Sequence, residues 1–223
     1  MSLFESYDFK YMFRQRNVQI YTALIILTIG AVGLFYVYKW HNIKIQRSAQ
    51  KAFSESMDAY KQALSLELTK KDESKSKENM WDEVELAFKT GYAQNKSSTL
   101  APFFLAYQAV AEQKLGKNDE AYKTLNEAIE KLPKNSPYAY LYKLKQALIE
   151  IDKKDEQKGI DHLIDLIKDK NNTFKDMTAF YLGDYYWSKN NLDKAKEYYK
   201  ISEEAGKDTS WAKLSKVKLE KLK

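Results

Sequence analysis

The sequence predicts an all-α protein: one N-terminal transmembrane helix followed by an α-solenoid of paired helices. Three observations lead there. Val18 to Tyr38 carries no charged side chain, and a stretch of that length as a helix is about 31 Å long, matching a hydrocarbon core of about 30 Å. Beyond it, apolar residues recur at three- and four-residue intervals, with no strand-like alternation. A small residue also returns at Ala121, Gly159 and Ala195, separated by 38 and 36 residues, as expected of helical hairpins that cannot bury their apolar faces alone.

The 223 residues include 37 Lys+Arg, 31 Asp+Glu, two His and no Cys. Without cysteine there is no disulfide framework, thiol nucleophile or thiolate metal site. His41 and His162 are too few and too far apart for a multi-histidine centre. The seven glycines are scattered, and no phosphate loop, nucleophile elbow or zinc-binding histidine pair is present. We therefore expect no enzyme activity, no metal and no cofactor. Asp161, His162 and Asp165 form a polar cluster on one helix, but the histidine points about 100° away from its acidic neighbour, as on a solvated face.

Taken in order, the expected segments are a short tail (1–17), the transmembrane helix (18–39), a juxtamembrane helix (40–68), a polar loop (69–79) and a repeat domain (80–223). Tyr21 stands near one end of the apolar run and Tyr36, Tyr38 and Trp40 near the other, where amphipathic rings favour the headgroup level. The run is longer than a signal-peptide core. Three basic residues, Lys10, Arg14 and Arg16, precede the span, and Lys39, Lys44, Arg47 and Lys51 follow it. Long domains cross largely regardless of charge, so the short basic tail leans towards a cytoplasmic N-terminus.

Ala49, Ala52, Phe53, Met57, Tyr60 and Leu64 form one apolar stripe of a helix that can continue directly from the span. Thr69 to Asn79 contains no apolar residue, which predicts a solvated loop. At the other end, six lysines between Lys207 and Lys223 interleave with Trp211, Leu214, Val217, Leu219 and Leu222, the pattern of an amphipathic capping helix. A nucleic-acid partner is not expected from that charge.

Leu182, Gly183, Tyr186, Ala195 and Tyr199 stand where the tetratricopeptide pattern places its leucine, glycine, aromatics and alanine. Ala109, Gly116, Ala121, Leu125, Ala128 and Pro133 match it upstream. The middle unit keeps mainly Ala147, Gly159 and Leu163, and Gln108 and Gln146 occupy positions normally held by large apolar side chains. Small residues let paired helices approach, and large ones fill the seam between repeats.

A short charged tail, one anchor, the helix QRSAQKAFSESMDAYKQAL and the stretch FKTGYAQNKSSTLAPFFLAYQAVAEQKLGKNDEAYKTL together resemble the ancillary Sec-translocon subunit family (YfgM-type). The resemblance implies a bacterial inner-membrane protein, single-pass, with a periplasmic repeat domain. Its implied partners are the Sec translocon and a periplasmic membrane-anchored chaperone. The alternative reading is a structural repeat subunit of another cell-envelope complex.

First helices of such pairs should offer one face to ligands. That face would carry Phe103, Ala106 and Val110, then Leu141, Leu144 and Leu148, then Phe180, Asp184 and Trp187. An aromatic- and leucine-lined groove suits an extended or helical apolar peptide. Phe103, Leu141, Leu144, Phe180, Asp184 and Trp187 are the candidate partner-binding residues, while Val110 and Leu148 are expected in the core.

Overall fold

The computed structural model describes residues 3–68, 74–133, 135–153 and 155–222. These residues form nine α-helices and no strand: α1 (Leu3–Leu68), α2 (Ser74–Gln94), α3 (Ala101–Lys114), α4 (Asn118–Lys131), α5 (Tyr138–Asp152), α6 (Glu156–Lys168), α7 (Lys175–Ser188), α8 (Leu192–Ala205) and α9 (Ser210–Lys221). The all-α expectation is met. Contacts divide the chain into two units, Met1–Ser48 and Ala49–Lys223.

The first unit is helix throughout its described part. From Ile20 its apolar side chains are exposed, Leu34 at 73% and Phe35 at 60%. The segment is long and apolar enough to cross a membrane. Thr28 donates its hydroxyl to the Leu24 carbonyl at 2.7 Å, which pairs that donor within the apolar segment. Trp40 carries the Lys44 ammonium 3.9 Å from its ring centroid. That cation–π pair follows the apolar run where an interfacial anchor belongs.

The second unit begins with the last five turns of α1. Ala49, Ser56 and Ala63 are buried there, and Phe53 meets Phe88 of α2 and Phe104 of α3 edge-to-face at 5.8 and 5.1 Å. Tyr60 meets Trp81 at 5.8 Å. The apolar stripe is thus real, but it ends on Ala63, and Leu64 is exposed. This segment and α2 pack around one cluster with α3, so the repeat unit starts before residue 80. Ser74–Asn79 belong to α2 rather than to a loop, because lysine and glutamate favour a helix without any apolar face. Residues 69–73 of the expected loop lie outside the described residues.

Helices α3/α4, α5/α6 and α7/α8 then form successive hairpins, and α9 packs on α7 and α8 as a cap. Ala121, Gly159 and Ala195 are all buried in second helices, as their periodicity predicts. At Gly159 the paired helices leave no room for a side chain. A Cβ there would stand 2.6 Å from the Ala147 carbonyl oxygen and from Ile151 Cγ1. At Gly183 it would stand 2.7 Å from the Tyr199 ring. In α9 the packed positions are Ala212 and Ser215, with Trp211, Leu219 and Leu222 beside them, whereas Leu214 and Val217 are exposed.

Candidate functional site

An apolar cavity lies between α1, α3 and α5. On α5, Tyr138, Leu141, Tyr142 and Lys145 follow the i, i+3, i+4, i+7 rule, so they share one face. Opposite them α3 presents Phe103, Ala106, Tyr107 and Val110, and α1 adds Tyr60. The cavity they line has a volume of about 240 Å³. Phe103 and Tyr138 meet edge-to-face at 4.9 Å across its mouth, and Tyr60 meets Tyr107 the same way at 5.2 Å. Such pairs are favoured by the ring quadrupole and hold the walls in place.

The electrostatics are unusual for so apolar a lining. Burial holds the Lys145 ammonium below the usual lysine range, because removal from water penalises the charged form. Burial also pushes the Tyr142 phenol well up, with Tyr107 and Tyr138 adding to it. Tyr60 is raised by burial first and by Tyr107 second.

Of the residues proposed from sequence, Phe103 and Leu141 line this cavity with Ala106. Val110, expected in the core, lines it too, and Leu148 is half-buried beside the next cluster. Leu144 does not. It is 1% exposed and packs with Leu163, Ala179 and Leu182, because α6 and α7 cover that side of α5. Phe180 is likewise core, lying 5.1 Å from the Trp211 ring of the cap. Asp184 accepts from Tyr199 Oη at 2.5 Å and from Lys218 Nζ at 2.8 Å. Trp187 packs edge-to-face on Tyr199 with Lys218 4.8 Å from its centroid. The face of α7 that was expected to be open is therefore occupied by α9.

Sequence reading passed over Tyr60, Tyr107, Tyr138, Tyr142 and Lys145. The signal was present for α5, where Tyr138, Tyr142 and Lys145 flank Leu141 at helical spacing. For Tyr60 it was not, since nothing local says that α1 packs beside α3.

A second cavity of about 360 Å³ is lined by Tyr122, Tyr140, Lys143, Gln146, His162 and Asp165, among others. Several of its polar groups are already engaged. His162 Nδ1 stands 2.6 Å from Glu150, and Tyr140 Oη donates to Asp169 at 3.2 Å. Asp161 and Asp165 are exposed, Asp161 accepting from Gln157 at 2.8 Å. No cluster of His, Cys, Asp or Glu that could hold a metal occurs among the described residues.

A family model for the tetratricopeptide repeat-like domain matches residues 10–223. The chain belongs to that family. Tetratricopeptide-like domains are protein-interaction scaffolds built from stacked helical pairs, binding through the surfaces that the stack creates. The crystal structure of BtubC (BKLC) from P. vanneervenii shares the fold, with a TM-score of 0.52, 10% identity, and coverage of 80% of this chain and 82% of that one. No curated protein matches the sequence.

Proposed function

We propose that the chain is a non-enzymatic inner-membrane adaptor. Its first unit spans the membrane with the N-terminus cytoplasmic, and its tetratricopeptide-like unit lies in the periplasm. There it binds protein partners at the Sec translocon and links translocation to a periplasmic membrane-anchored chaperone. The observation that carries the membrane part is the contrast along α1. Leu24 to Tyr38 is apolar and exposed, whereas Ala49 is 0% exposed and packed. A soluble core helix would be covered along its apolar length, and a contiguous apolar surface of this size needs lipid or a partner. The short basic tail supports the orientation, and the resemblance to the ancillary translocon subunits supports the assembly. Tethering raises the effective concentration of a partner at the membrane, so modest affinity in the repeat unit suffices.

Crosslinking and co-purification from detergent-solubilised membranes test the assembly: recovery of translocon subunits and a chaperone supports the proposal. Recovery of another envelope complex in their place assigns the chain to that complex. Protease added to intact spheroplasts should digest residues 49–223, and full protection would reverse the orientation.

A further inference from the structure

The lining of the cavity between α1, α3 and α5 carries five side-chain donors and no carboxylate. Lys145 is its cation, and an ammonium can only donate. Among the described residues, neither Lys145 Nζ nor the hydroxyls of Tyr60, Tyr107, Tyr138 and Tyr142 are joined to a partner by a hydrogen bond or ion pair. The carboxylate nearest in influence is Glu67, which acts on Tyr60, and it is already held by Lys114 at 2.8 Å. Two partly exposed lysines elsewhere in this unit each sit beside an acid: Lys117 with Glu85 at 2.7 Å and Lys218 with Asp184 at 2.8 Å. A desolvated amine without such a partner costs stability unless something else supplies the charge.

We infer that this cavity receives an Asp or Glu side chain from an extended partner peptide. The carboxylate meets Lys145 and the phenols, and an apolar neighbour packs between Phe103 and Leu141. The adjoining surface favours an internal acid over a chain end. A second hollow of about 480 Å³ shares Phe103 and Tyr138 with the first and adds Lys96, Lys131, Leu132 and Pro133. A peptide can therefore continue past the acid along a basic and apolar path. The inference rests on the scaffold reading but not on which membrane assembly the chain joins.

The test uses the full chain in detergent micelles. The probes are dye-labelled peptides of the form acetyl-Gly-Φ-Glu-Φ-Gly-amide, with Φ being Leu, Phe or Trp, each paired with its Gln twin and read by fluorescence anisotropy. At least one Glu probe should bind tenfold or more tighter than its twin, and Lys145→Met should bring the two within about twofold. Equal binding by each pair, no binding by any probe, or a preference that survives Lys145→Met overturns the inference. Because Lys145→Met removes an unpaired charge, its melting temperature should hold or rise. Should that variant fail to fold, reductive ¹³C-methylation of the wild type gives a second readout. The Lys145 resonance should then shift with the Glu probe and stay in place with the Gln probe, and no shift overturns the inference. Retained Glu preference without translocon recovery sinks the proposed assembly alone, and the reverse result sinks the cavity assignment alone.

Discussion

Hairpins α3/α4 and α5/α6 each bury a glutamate at the same position of the first helix, Glu112 and Glu150, 38 residues apart and both 3% exposed. Each also carries a glutamine one turn earlier. Gln108 Nε2 donates to Glu112 at 2.7 Å, while Gln146 donates to the Tyr122 carbonyl at 3.3 Å. The second helices differ. Where α6 has Lys158 and His162, α4 has Glu120 and Thr124. Burial pushes both carboxyls up. For Glu112 it prevails, with Glu85 and Glu120 adding to it, against hydrogen bonds from Gln108 and Thr124. For Glu150, Lys158 at 2.9 Å and His162 at 2.6 Å outweigh burial and bring it below its usual value. One buried carboxylate therefore has two electrostatic fates, decided by two residues on the facing helix.

The same pair of hairpins differs at one buried position of the second helix, Ala121 in α4 and Gly159 in α6, and there we expect the largest effect. Gly159→Ala sets a methyl against the Ala147 carbonyl, which is backbone and cannot rotate away. It should cost about 1–3 kcal/mol. The converse change, Ala121→Gly, should cost about 1 kcal/mol through helix propensity alone. Thermal unfolding of the full chain by circular dichroism compares them. A Gly159→Ala variant as stable as wild type would mean that α5 and α6 can shift to take the methyl.

Next in size are the glutamates themselves. Glu150→Gln leaves Lys158 and His162 without their acid. Both are about half-exposed, so the loss should be about 1–2 kcal/mol rather than that of a fully buried pair. Glu112→Gln removes a desolvated charge and should be neutral or stabilising. The pH dependence has opposite signs. Glu112, raised in the folded state, destabilises above its folded value, and that penalty disappears as pH falls towards 4.5. Glu150, lowered in the folded state, stabilises above about 4.5 and loses this contribution as pH falls through its folded value. Melting curves of the two Gln variants against pH should diverge from wild type on opposite sides of that value, and parallel curves would remove the distinction.

The smallest change would make the first hairpin resemble the second. Glu120→Lys places a cation where Lys158 stands and should stabilise by about 0.5 kcal/mol, lost in high salt because the position is exposed. The gain should vanish in the Glu112→Gln background, as a double-mutant cycle would report.

Much of the fold was legible because its signals are local or periodic. An uncharged run of membrane length needs no tertiary context, and neither does a small residue returning every 36 to 38 positions at Ala121, Gly159 and Ala195. Gln108 and Gln146 looked like defects in a tetratricopeptide seam, yet they bond to Glu112 and to the Tyr122 carbonyl. Their partners lie one turn away and on a neighbouring helix, and only the second of these requires the fold.

By itself, then, the sequence determined the helical class, the apolar segment, the repeat spacing and the helix faces available for packing, since each follows from the order of residues along a chain of known pitch. Only the tertiary structure decided which of those faces remain open. Phe180 and Leu144 have the same credentials as Phe103 and Leu141. The first two are buried because α9, and α6 with α7, lie over them, and the latter two border a cavity because α1 approaches with Tyr60 and leaves a gap. Helical periodicity says which side chains share a face, but what covers that face depends on residues tens of positions away.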